Sequence, residues 1–102
     1  MNINFIKKEG KVIFNDLSLS EDRPLFEQLD VLKEDMLQVE FPGGYILDVG
    51  WRPSFNLDGS FCIYIIKDFD WGTPVYNCNA KDISSLKLEI KNAMKIIKLK
   101  LK

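Results

Sequence analysis

The chain has 102 residues, of which 46% are apolar and 28% charged, with a net charge of −1 and no histidine. A chain of this length supports one domain that buries roughly two-thirds of its unfolded surface, and its composition is far from that of a disordered segment. The missing histidine excludes Ser-His-Asp and Cys-His catalysis and removes the commonest transition-metal ligand.

In chain order, residues 2 to 7 and 11 to 14 are β-like, joined by Lys8-Glu9-Gly10, where glycine permits a tight turn. Met1 to Lys8 places its apolar residues before its lysines, the reverse of a secretory signal, so the protein is expected to reside in the cytoplasm. Ser18 and Glu21 have the spacing of a capping box, and Pro24 falls in what would be an early helical turn. Leu25, Phe26, Leu29 and Leu32 then recur at helical spacing, which predicts a helix over about 21 to 33.

Met36 to Phe41 is strand-like and ends at Pro42-Gly43-Gly44, a strong breaker. Tyr45, Leu47, Val49 and Trp51 then alternate onto one face, so the two runs form a hairpin. Asn56-Leu57-Asp58-Gly59 is a second turn. It leads into Phe61 to Ile66, a run apolar on both faces that predicts a central strand covered by helix on one side. A loop over Asp68 to Pro74 precedes a short strand at about 75 to 79, an edge candidate. Asp82 caps a last helix in which Ile83, Leu86, Ile90, Ala93, Met94 and Ile97 form one apolar stripe.

The short connections between strands imply antiparallel neighbours. The expected fold is therefore a single α+β domain over 1–102. It has one antiparallel sheet of about five to six strands and two helices, the C-terminal one packed on the sheet. No apolar run approaches the about 18 residues that span a bilayer, so no membrane partner is expected.

Little catalytic chemistry is available. No phosphate-cradling glycine loop is present, since Pro42-Gly43-Gly44 opens no helix. Cys62 and Cys78 read as free thiols in a reducing compartment, or as a disulfide if their strands are neighbours. No cofactor and no metal site is expected, because zinc wants four ligands and two cysteines do not supply them. Asp48, Asp58, Asp68 and Asp70 would make a small enzyme or metal site if they met at one end of the sheet; solvated turn and cap residues are the plainer reading.

Two aromatic loops carry more information. Trp51-Arg52 and Asp70-Trp71 each place a tryptophan beside a charge at a strand end. Both tryptophans close the ends of the core, or one of them is exposed for recognition, since Trp and Arg are enriched where interfaces are strongest.

Charge is also segregated. From Asp16 to Asp48 there are nine acids against two bases, whereas Lys81 to Lys102 holds seven lysines against Asp82 and Glu89. Lys87, Lys91, Lys95, Lys98 and Lys102 share one helical face, which reads as a solvated face with cations near a helix C-terminus. The net charge and the scarcity of arginine argue against direct nucleic-acid binding. The acidic segment either solvates its own elements or steers the domain toward a basic partner.

Leu32-Lys33-Glu34-Asp35-Met36-Leu37-Gln38-Val39, Ile46-Leu47-Asp48-Val49-Gly50-Trp51-Arg52-Pro53 and Asp70-Trp71-Gly72-Thr73-Pro74, with Asp58-Gly59-Ser60-Phe61 between them, carry a resemblance. They resemble small cytoplasmic immunity proteins of bacterial contact-dependent growth-inhibition and related polymorphic toxin systems, over about residue 24 to the last helix. The resemblance implies a cognate toxin domain, commonly a nuclease, that is bound and blocked by occlusion. It transfers a role and no fixed inhibitory motif. The candidate contacts therefore rest on the physical reading: Glu34, Asp35 and Glu40 for steering, and Trp51, Arg52, Asp70 and Trp71 as anchors. The competing expectation is an assembly module that homodimerises through an edge strand.

Overall fold

In the computed structural model, which describes residues 10–100, five antiparallel strands form one open sheet. They are β1 (Lys11–Asn15), β2 (Leu37–Phe41), β3 (Tyr45–Arg52), β4 (Ser60–Lys67) and β5 (Tyr76–Ala80), in the spatial order β1-β2-β3-β4-β5. One α-helix follows, α1 (Ile83–Lys100). The α+β class, the antiparallel sheet and the C-terminal helix on it agree with expectation. The strand expected at 2 to 7 lies outside the described residues.

Period-two alternation assigns the sheet two unlike faces. Leu37, Val39 and Phe41 of β2, Tyr45, Leu47, Val49 and Trp51 of β3, and Phe61, Ile63 and Ile65 of β4 point to one side. There they meet Leu86, Ile90, Ala93, Met94 and Ile97, all buried, from the apolar stripe of α1. The helix lies over β5 and β4 and reaches β3. Its start is fixed by Asp82, whose Oδ1 accepts the backbone N–H of Ser85 at 2.7 Å, the N-cap bond that satisfies an otherwise orphaned donor. Trp51 is 1% exposed, edge-on to Phe61 with ring centroids 4.8 Å apart, and its indole N–H donates to the Asn56 carbonyl at 2.8 Å.

The helix expected over 21 to 33 does not form. Two 3-10 turns, Leu25–Glu27 and Leu29–Val31, stand in its place, separated by Gln28 at φ −124° and ψ 24°. The cause is the Gln28 side chain, which is 3% exposed. Its Nε2 donates to the carbonyls of Ser20 and Arg23, both at 2.9 Å, and its Oε1 accepts the Ser20 N–H at 2.8 Å. These bonds satisfy the Ser20 N–H and the Ser20 carbonyl, which a helix starting at 21 would leave unpaired because Pro24 has no N–H, and they engage the Arg23 carbonyl in place of a helical bond. The expected capping box is absent too: Ser20 Oγ accepts from Asp22 N, and Glu21 reaches across to Lys87 of α1 at 2.7 Å. The apolar spacing still has a use, because Leu19, Leu32 and Met36 join the core, with Leu25 and Leu29 packed against it.

The way this segment enters β2 depends on one glycine. Met36 N–H donates to the Val49 carbonyl, but the next bond on β3, from Trp51 N–H, goes to Lys33 rather than to Asp35. Glu34 and Asp35 are looped out as a bulge, and the Glu34 carbonyl lies in the space that a Cβ on Gly50 would fill.

Cys62 and Cys78 are free. They lie on adjacent strands, but Cys62 is in register with Asn79 and Cys78 with Ile63, so their side chains point to opposite faces.

Gly50→Ala is expected to lower stability by roughly 1–3 kcal/mol through displacement of the bulge. Gly72→Ala, where the nearest atom to a new Cβ is Asp70 Oδ1 at 3.8 Å, should stay within about 0.5 kcal/mol of the parent. Urea denaturation of both variants checks the pair.

Candidate functional site

The second face of the sheet, on which no helix of the described residues packs, is built from the alternate positions of the same strands. Four of its residues stand in one cross-strand row: Gln38, Asp48, Tyr64 and Asn77. Phe14 of β1 extends that row to the edge. The neighbouring row holds Gly50, Cys62 and Asn79, and beyond it Arg52 pairs with Ser60. On the other side of the polar row, Glu40 is in register with Ile46, and Ile46 with Ile66.

Asp48 is the centre of this face. It is 4% exposed, and apart from Gln28 it is the buried polar residue of the described chain. Gln38 Nε2 donates to its Oδ1 at 3.1 Å. Burial raises the Asp48 carboxyl above its ordinary range, opposed by the Gln38 hydrogen bond. The Asp35 carboxylate on the bulge pushes it further up, and the Arg52 guanidinium pulls it down. Arg52 itself lies 6.0 Å from the centroid of the Tyr64 ring, within cation–π range.

The seven sequence-derived contact residues fall into four places. Glu34, Asp35 and Arg52 come together around Gly50 at one end of the sheet, and all three are exposed. Glu40 is exposed on the same face, farther along β2. Asp70 and Trp71 lie in the loop between β4 and β5, at the opposite end of β3, roughly 20 Å from Arg52 by strand rise. Trp51 does not belong to the surface at all: it alternates with Val49 and Leu47 into the core and offers a partner nothing. Of the two tryptophans Trp71 is the exposed one, at 47%.

The four aspartates proposed for a metal or catalytic centre do not converge. Asp48 sits mid-strand, Asp58 in the loop before β4, and Asp68 and Asp70 beyond the far end of β4. Among the described residues no group of three or more metal-ligating side chains gathers. Cys78 faces α1, where burial and the nearby Glu89 carboxylate push its thiol up to about 11. It stays protonated at neutral pH and is a poor nucleophile.

Gln38 and Tyr64 escaped the sequence reading. The signal for both was their alternation with buried apolar residues, which places a polar group on the second face at each such step. Comparison of the chain with models of protein families, with curated proteins and with solved structures returns no match.

Asp48→Asn keeps an acceptor for Gln38 and removes the buried charge. Because the folded-state carboxyl titrates above its unfolded value, ionised Asp48 opposes folding at neutral pH. That opposition disappears as the pH falls below the ordinary carboxylate range. The variant should therefore be more stable than the parent at pH 7 and equal to it under acid conditions, as read from thermal melts across pH.

Proposed function

We propose that this domain is a protein-binding module that neutralises a basic partner by covering it. Following the resemblance stated above, that partner is a toxin domain, commonly a nuclease, and the module is its immunity protein. One observation supports the reading above the others: Glu34, Asp35 and Glu40 are exposed about the sheet face remote from α1, where the bases are Lys11, in register with Glu40, and Arg52, while Lys87, Lys91, Lys95 and Lys98 lie on α1. Of these lysines, Lys87 is engaged by Glu21.

A nuclease binds a phosphate backbone and presents a basic cleft, and an acidic surface is the complement that both steers toward it and competes for it. Rim carboxylates of this kind act mainly on the association rate, whereas the residence time is set by buried anchors.

A second reading has its own observation. β5 is an edge strand of the described sheet, five residues long and without proline, and an unpaired edge is a template for a second copy. A monomeric mass at high protein concentration would remove this reading.

Co-expression with the C-terminal domain encoded by the adjoining gene is the direct test of the first reading. Growth should be restored and a one-to-one complex should co-purify; equal toxicity with and without this protein would sink the proposal. In that complex the double variant Glu34→Lys/Asp35→Lys should associate about tenfold more slowly at low salt, with a weaker dependence on ionic strength.

A further inference from the structure

The acidic face alone is small for a stable complex. Five strands about 4.8 Å apart and roughly 20 Å long have a plan area on the order of 400 Å², against about 800 Å² per partner in a standard interface. Contact has to extend past an end of the sheet, and each end carries one loop with exposed apolar side chains.

At one end the loop after β3 exposes Phe55, itself at a left-handed φ of 59°, and Leu57, but it begins at Arg52, and Lys81 Nζ is bonded to its Asp58 and Gly59 carbonyls, so its charge is basic. The loop over 68 to 75 at the other end is different. Within seven residues it exposes Phe69 at 70%, Trp71 at 47% and Val75 at 43%. It carries Asp68 and Asp70, both exposed, and no base. The preceding Lys67 donates its Nζ to the Gly43 carbonyl at 2.5 Å and lies 4.2 Å from the Tyr45 ring centroid, beside Gly44, which accepts the Asp68 N–H.

The loop is also held in a fixed shape. Asp68 N–H donates to Gly44, Asp70 N–H to Lys67, Trp71 N–H to Phe69, Thr73 N–H to Asp70 and Val75 N–H to Ile65. Within that shape Asp68 and Phe69 both take left-handed backbone angles, φ 51° and 61°. A phenylalanine is a poor choice there, because its Cβ crowds the backbone and glycine or asparagine would adopt the conformation at lower cost. Phe69 does not recover that cost by burial.

We propose that the 68–75 loop is the anchor of the partner interface: Phe69 and Trp71 enter an apolar pocket of the partner protein whose rim carries basic groups that meet Asp68 and Asp70. This rests on the reading of the domain as the binder of a basic protein. A loop held rigid before binding loses little freedom on association, and exposed aromatics on such a loop are the side chains that concentrate binding energy.

The test uses the full chain and the toxin domain of the adjoining gene, with dissociation followed by surface plasmon resonance and melting recorded for every variant. Phe69→Gly relieves the backbone and should melt above the parent, yet release the partner about 100-fold faster. Trp71→Ala should lose binding to a similar degree with little change in melting. Leu88→Ala, on the exposed side of α1, is the control for removing apolar surface and should dissociate at the parental rate. Dissociation of the Phe69 and Trp71 variants within about threefold of the parent overturns the anchor while the proposed function stands; absence of any complex with the parent overturns both. A dimer of the parent that Trp71→Ala abolishes overturns the assignment to a foreign partner in favour of a second copy.

Discussion

At Gly50 the backbone of Glu34 occupies the place of a side chain, and the course of the chain on both sides of the sheet depends on that close approach. Because the carbonyl can sit there, Lys33 bonds to Trp51, Glu34 and Asp35 loop out, and Met36 resumes the ladder at Val49. On the core side of the bulge Leu32 and Met36 are buried completely. This draws the preceding segment over the same apolar face that α1 covers. On the other side the bulge sets the exposed Asp35 carboxylate within electrostatic reach of Asp48. One missing side chain therefore couples the closure of the core to the charge of the second face.

The two faces are opposed in charge as well as in polarity. Cations concentrate on the helix, with Lys98 and Lys100 in its last turn, where the helix dipole favours them. Carboxylates concentrate across the sheet. The described ion pairs, Lys33–Asp16 and Lys87–Glu21, tie surface segments together and contribute little to stability. Neither pair involves the carboxylates of the bulge or Glu40, and Lys11 of β1 stands directly across from Glu40. An overall charge near zero conceals this separation, and it is the separation that a charged partner would sense within a Debye length.

Much of this was legible from spacing. The stripe from Leu86 to Ile97, its Asp82 cap, the hairpin about Pro42-Gly43-Gly44 and the doubly apolar run in β4 each have a single period that names the element. The segment over 21 to 33 was misread because its leucine spacing does match a helix, while the deciding group was a glutamine side chain that bonds backbone eight residues upstream. No local pattern announces such a contact. For Trp51 the two sequence signals conflict: alternation with Leu47 and Val49 assigns it to the core, where it lies, while the adjacent Arg52 suggests a surface anchor. The bulge at Glu34-Asp35 left no trace in spacing except the glycine opposite it.

Asp48, buried as a carboxylate, and Phe55, Asp68 and Phe69, at left-handed φ, depart from rules that most of the fold obeys. A buried carboxylate with a neutral partner works against folding at neutral pH, and asparagine would fit the same site. A left-handed non-glycine backbone costs about 1–2 kcal/mol, a sizeable fraction of the about 5–15 kcal/mol that stabilises a domain. Neither cost is recovered by packing, since Asp48 faces away from the apolar core and Phe69 lies largely in solvent. In an enzyme such exceptions gather around the reacting groups. Here Asp48 stands on the second face, Asp68 and Phe69 in the loop at one end of the sheet and Phe55 in the loop at the other. Local stability alone would have selected other residues at Asp48 and Phe69.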